Sequence, residues 1–295
     1  MSKSARAVFF GTEDFSADSL EKLLQHGWNV VAVVTKPDRK SGRGQKKTAP
    51  AVKEIAGKNG IGVLQPENIG KIAYELASLE PSFGVLVSYG KIIPQTLLDI
   101  FPGGIINVHP SLLPAWRGPS PIESALLQGD SETGISLMKL TAGMDEGPVY
   151  AQKKVVIHDG ETRPELYERL AEYGASFLIE KLPQITDGGL VPEAQDDAKA
   201  SYSKLLKKDD GRIDWTKSAE EYERQVRAYL GYPRSTAMID GVEVIITKAR
   251  VVKQHPYDFK GHVQPCNPGL LEIQEVIAPS GKTMSWADYA RGYQK

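Results

Sequence analysis

The run Ile105-Ile106-Asn107-Val108-His109-Pro110-Ser111-Leu112-Leu113-Pro114 holds the densest chemistry in the chain. Asn107 and His109 lie two residues apart, which in a strand points both side chains to one face. An apolar strand running into a polar loop puts them at its carboxyl end, where open parallel α/β sheets bind ligands. Pro110 and Pro114 stiffen the loop that follows. An amide beside an imidazole can donate to a developing oxyanion and move a proton. By itself, such a pair is more often two buried polar groups satisfied by backbone partners. A second segment, Thr141 to Val149, sets Asp145 in a glycine-flanked loop between two strand-like runs. Near His109, that carboxylate would fix the imidazole tautomer. Taken alone, it reads as a turn aspartate.

The elements that must position these groups follow from hydrophobic periodicity. Predicted strands cover Ala7 to Phe10, Asn29 to Thr35, Ile61 to Leu64, Phe83 to Ser88 and Gly104 to Val108. Helical spacing begins near Asp14 with Leu20, Leu23 and Leu24 on one face, and returns at Ala51 to Lys58, Ile69 to Leu79, Pro94 to Phe101 and Ile122 to Leu127. Strands alternating with helices imply crossover connections and a mostly parallel sheet. Ser136 to Lys139 and Val149 to Ile157 read as further strands, and Glu165 to Leu182 as a long amphipathic helix. The chain turns polar from Asp187 to Lys199, so a first domain is expected over 1–190 and a linker over 191–203. A helix at Ala219 to Tyr229 and short strands at Thr236 to Ile239, Glu243 to Val251 and Leu270 to Glu275 suggest a small β-barrel within 204–295.

Composition removes several alternatives. The 295 residues can bury a large core unaided. The single cysteine, Cys266, excludes an intramolecular disulfide framework and a Cys-rich zinc site. Apolar runs such as Val30 to Val34 are too short to span a bilayer. Met1 to Arg6 leads straight into a strand-like run without the features of a signal peptide, so a cytoplasmic location is expected. The net charge of -1 gives no global argument for a nucleic-acid partner, which must be sought in a local patch. Gly11-Thr12 does not extend into G-x-G-x-x-G, which leaves a nicotinamide cofactor without support.

Taken together, the motifs resemble the folate-dependent formyltransferases. The match is uninterrupted from Asn107 to Pro114 and continues through Trp116-Arg117-Gly118. Gly129-Asp130, Gly134 and Met144-Asp145 with Gly147 fall in the same order. The resemblance implies a Rossmann-like sheet, 10-formyltetrahydrofolate as donor, and Asn107, His109 and Asp145 as the catalytic trio. In that chemistry an amine attacks the formyl carbon on N10, and Asn107 and protonated His109 would steady the oxyanion. Asp145, directly or through His109 or water, would shuttle the proton. No metal is required. The resemblance further implies a folate pocket walled by Ser111, Leu112, Leu113 and Pro114 on one side and Tyr89, Gly90 and Ile92 on the other. For Tyr89 and Ile92, simple core packing is an equal reading.

The acceptor is addressed by Lys36-Pro37-Asp38-Arg39-Lys40-Ser41-Gly42-Arg43-Gly44-Gln45-Lys46-Lys47-Thr48, a basic, glycine-bearing stretch in a near-neutral chain. Its composition alone suits a solvated loop as well as a mobile contact to phosphates. It resembles the inserted loop of the methionyl-tRNA formyltransferases, through Pro50-Ala51-Val52-Lys53. That implies initiator methionyl-tRNA as acceptor and Arg43, Lys46 and Lys47 as tRNA contacts. Tyr202 to Leu205 and Gly211 to Trp215 resemble the segment leading into that family's second domain, an oligonucleotide-binding-like (OB-like) barrel. Trp215 reads as a packing residue. A monomer and no membrane partner are expected. Two alternatives stay open: an amino-sugar nucleotide as acceptor, and a tRNA- or folate-binding relative without turnover. The sequence departs from the family at Glu13, where Pro is usual, and at Gly231 to Ser235.

Overall fold

A computed structural model of the protein describes residues 5–41, 46–252 and 260–293. The chain divides into two compact units, one of Met1–Pro121, Thr133–Val156 and Tyr167–Ser203, the other of Ile122–Glu132, Ile157–Leu166 and Lys204–Lys295.

The strands of the first part of the chain are β1 (Ala7–Gly11), β2 (Val30–Val34), β3 (Arg39–Ser41), β4 (Lys46–Thr48), β5 (Gly62–Leu64), β6 (Phe83–Val87), β7 (Ile105–His109), β8 (Glu132–Lys139) and β9 (Val149–Val156). The helices are α1 (Ala17–Gln25), α2 (Ala51–Lys58), α3 (Ala73–Ser78), α4 (Gln95–Leu98), α5 (Pro121–Gln128) and α6 (Arg163–Thr186). Seven strands form one sheet in the order β5-β2-β1-β6-β7-β8-β9. The first five run parallel, and β8 pairs antiparallel with β7. β1 and β7 are buried along their whole length, as parallel strands covered on both faces must be. The order in which the strands are added reverses between β1 and β6, the place in such sheets where a crevice opens at the strand carboxyl ends. Val8, Phe10, Val34, Leu76, Leu97 and Phe101 pack one core of this unit.

The predicted mostly parallel sheet is present, and the differences are local. Ile69 to Leu79 splits into a short 3-10 turn, Ile69–Ile72, and α3. The expected helix from Pro94 shrinks to α4, because Pro102-Gly103-Gly104 cannot continue it. On the two sides of the basic segment β3 and β4 pair antiparallel, with Arg39 opposite Thr48 and Ser41 opposite Lys46.

In the second unit, α7 (Ala219–Ala228) precedes β10 (Ser235–Ile239), β11 (Val242–Val251), β12 (His262–Pro265), β13 (Leu270–Ile277), β14 (Thr283–Ser285) and α8 (Trp286–Tyr293). The strands pair antiparallel in the order β10-β11-β13-β12, with β14 also on β13. Register shifts between Ile246 and Ala249 bend β11 and curl the sheet into a half-barrel. Tyr222, Val226, Ile239, Leu271, Ile273 and Trp286 fill it. A capping box starts α7: Ser218 Oγ accepts from Glu221 N, and Glu221 accepts from Ser218 N. Trp215 packs edge-on against Tyr222 at 5.5 Å, the structural role its sequence position suggested. β12, β14 and α8 are elements that periodicity alone did not mark.

Candidate active site

β7 ends at His109, and both Asn107 and His109 are about 95% buried on it. The loop between β8 and β9 brings Asp145 to them. Asn107 Nδ2 lies 3.4 Å from Asp145 Oδ1, and His109 Nδ1 lies 3.7 Å from Oδ2. Gly118 N donates to that same Oδ2 at 2.8 Å. His109 Nε2 stands 3.1 Å from the Trp116 carbonyl, which only accepts, so Nε2 carries a proton. Nδ1 is therefore the nitrogen that can exchange a proton with Asp145. Asp145, distant in sequence, thus shares one network with Asn107 and His109, made of an amide donor, an oriented imidazole and a carboxylate.

Backbone strain gathers at the same place. Ser88, Trp116 and Asp145 have φ of 45°, 59° and 50°, left-handed values that cost a residue with a side chain on the order of 1 kcal/mol. Gly118 has φ 113°, and a Cβ there would press within 2.8 Å of the Ser203 carbonyl. Only glycine lets its N–H reach Asp145.

The other residues singled out for this site fall into two groups. Ile92 is 77% exposed and Gly90 is exposed with φ 67°, on the loop after β6. Leu112 and Pro114 are partly exposed on the loop after β7. Ser111, Leu113 and Tyr89 are interior. Ser111 Oγ donates to the Ala115 carbonyl, and Ser136 Oγ accepts from Leu113 N and donates to the Ser111 carbonyl. Tyr89 packs edge-on against Phe10, and burial pushes its phenol up to about 12. Its backbone carbonyl accepts from Thr12 Oγ1, which ties the loop after β6 to the end of β1. Half-buried Lys36 lies beside Gly90; burial lowers its pKa, with Arg39 and Lys91 acting in the same direction and Glu13 opposing them. Arg43 lies outside the described residues. Lys46 and Lys47 are on β4, and their side chains lie outside the description.

Sequence reading missed the support. Arg117 is 2% exposed; Nε donates to Gln195 Oε1 at 3.0 Å, Nη2 to Asp197 at 2.7 Å and Nη1 to Tyr202 at 3.3 Å. Burial opposes its charge, and the bonds to Asp197 and Tyr202 outweigh that and raise its pKa. Ser201 and Ser203 also bond the Arg117 backbone. The segment read as a linker is thus hydrogen-bonded into the first unit. Its polar composition carries no sign of that, although the unbroken Trp116-Arg117-Gly118 match pointed at Arg117. Among the described residues no group of three or more His, Cys, Asp or Glu stands close enough to hold a metal ion, and no helix is long and apolar enough to cross a membrane.

Comparison with known proteins identifies the family. The formyl transferase family model matches residues 5–182, and the formyl transferase C-terminal domain model matches 205–294. The chain is 40% identical to a methionyl-tRNA formyltransferase of Halorhodospira halophila, covering 98% of this chain and 96% of that protein. It is 37% identical to one of Geobacter metallireducens, covering 97% and 94%. Among solved structures, an N-formyltransferase from Helicobacter canadensis, in complex with folinic acid and dTDP-3-aminofucose, superposes with a TM-score of 0.69 at 19% identity, covering 92% of this chain and 99% of that one. HypX from Aquifex aeolicus, in complex with tetrahydrofolic acid, gives 0.67 at 16%, covering 98% and 47%. At those identities the structures speak for the fold. The sequence relatives speak for more: the chain belongs to the formyltransferase family and, within it, to the methionyl-tRNA formyltransferases.

Proposed function

We propose that Asn107, His109 and Asp145 transfer the formyl group of 10-formyltetrahydrofolate to the α-amino group of methionine on initiator tRNA. The observation that carries the reading is the convergence of an amide, an imidazole and a carboxylate at the carboxyl end of β7. The residues around it fit a flat heteroaromatic co-substrate. Ile92 offers an exposed apolar surface beside the open backbone of Gly90, and Leu112 and Pro114 offer a second one. When bound, the folate supplies an electrophilic formyl carbon on N10.

The protein's own groups then have separate tasks. Asn107 donates an N–H to the formyl oxygen as negative charge gathers there. His109, its ring fixed through Nε2 by the Trp116 carbonyl, adds a donor or passes a proton through Nδ1. Asp145 accepts the proton that the attacking amine loses as the new C–N bond forms. A proton returns to N10 as the old C–N bond breaks. Atoms balance without a covalent enzyme intermediate.

On the same reading, Arg43, Lys46 and Lys47 contact the acceptor tRNA, and residues 204–295 form its second, OB-like binding domain after a catalytic domain over 1–190. The protein acts as a monomer in the cytoplasm. Single-turnover formylation of initiator methionyl-tRNA tests the assignment. Asp145→Asn should retain the fold and lose at least about 100-fold in rate; wild-type turnover would remove Asp145 from the mechanism.

A further inference from the structure

We propose that Gln195 is a positioning residue of this site: its side-chain amide ties the Asp145 turn to buried Arg117 and so sets where the Asp145 carboxylate stands. The inference rests on the reading of Asp145 as the proton-carrying group.

The amide is fully used. Gln195 Nε2 donates to the carbonyls of Asp145 and Gly147, each at 2.7 Å, and Oε1 accepts from Arg117 Nε at 3.0 Å. Only this orientation satisfies all three partners. Reversed, the oxygen would face two carbonyls and the amino group would face an N–H. The two carbonyls belong to a turn whose Asp145 backbone is left-handed, a conformation that persists only when its surroundings hold it. Gln195 supplies that hold on the backbone, and Gly118 N supplies it on the carboxylate.

Arg117 makes the clamp rigid. Its guanidinium is fixed by Gln195, Asp197 and Tyr202, and its backbone N–H and C=O are bonded to Ser201 and Ser203. Its two chain neighbours are the residues that touch the site. The Trp116 carbonyl accepts from His109, and Gly118 N donates to Asp145. The imidazole and the carboxylate are therefore both referred to one buried arginine, and Gln195 closes the loop from that arginine to the Asp145 backbone. Displacement of a reacting group by about 1 Å costs on the order of 100-fold in rate, so a loosened clamp should be visible in kcat.

The test substitutes donors without changing size. Gln195→Glu keeps the side-chain length and an acceptor for Arg117 but sets an oxygen against two carbonyls. Gln195→Met keeps the packing, is uncharged and removes every hydrogen bond; it serves should Gln195→Glu not fold. Expected is a fall in kcat of about 10- to 100-fold, with KM for folate and tRNA within about threefold and unchanged near-ultraviolet circular dichroism. In an Asp145→Asn background either substitution should add less than about twofold, because both act through one group. Wild-type kcat in Gln195→Met, or a loss that multiplies fully in the Asp145→Asn background, would overturn the proposal. Wild-type kcat in Asp145→Asn with a defective Gln195→Met would instead locate the error in the Asp145 assignment, and the proposal would fall with it.

Discussion

His109 illustrates how one backbone carbonyl decides the use of a side chain. With Nε2 committed to the Trp116 carbonyl, the ring presents Nδ1 to Asp145 and cannot turn away without giving up that hydrogen bond. Trp116 and Asp145 are both left-handed, and from that conformation the Trp116 carbonyl meets His109 and the Asp145 carboxylate meets Asn107 and His109. Asn107 needs no strain: it sits in register opposite Met138 on β8 and Leu86 on β6. Replacing Asn107 or His109 with Ala should slow single-turnover transfer by at least about 100-fold, the usual cost of an oxyanion donor, with an unchanged thermal midpoint to within a few degrees. A rate near wild type in either variant would exclude that side chain from the chemistry.

Among the elements, the loop from β8 to β9 leaves little room for change. Lys139 N donates to the Pro148 carbonyl at 2.8 Å and closes the loop, and a Cβ on Gly147 would collide with the Lys139 carbonyl and reach within 3.0 Å of Met138. Gly147→Ala should therefore destabilise by about 1–3 kcal/mol and displace Asp145, so that midpoint and kcat fall together; an unchanged melting curve would contradict this. At the start of α7, Asp214 accepts from Tyr222 OH, Thr216 Oγ1 and Thr216 N, and these bonds hold its carboxyl down to about 2. A depressed carboxylate contributes its full stability above about pH 4 and loses it as the pH falls toward 2. Asp214→Asn should lower the melting temperature at pH 7, and the difference should close near pH 2; a constant difference across that range would exclude the ionised form as its source. At this scale the sequence was legible where periodicity is strong. Phe83 to Val87 and Ile105 to His109 are buried runs with turn residues at both ends, and they are strands. The short elements were not legible: β14 has three residues, β12 contains Pro265, and α4 keeps one turn. Asn107, His109 and Asp145 could be named from residue type and motif. Gln195 could not, because its meaning lies in three partners at least 48 positions away in the chain.

For the whole molecule, the proposed reading gives the mostly parallel sheet the one-carbon donor, and the acceptor must be selected by something added to it. On that reading the paired strands β3 and β4 and the C-terminal half-barrel are the two additions. Arg43→Ala should raise the tRNA concentration needed for half-maximal rate several-fold while leaving folate affinity alone, as loss of a phosphate contact would; an unchanged tRNA dependence would reject Arg43 as a contact. The most direct test offers 10-formyltetrahydrofolate to the intact protein with initiator methionyl-tRNA, elongator methionyl-tRNA and an amino-sugar nucleotide in parallel. The account predicts rapid formylation of the initiator alone, abolished by Asp145→Asn. Transfer to the sugar nucleotide and not to the tRNA would contradict it.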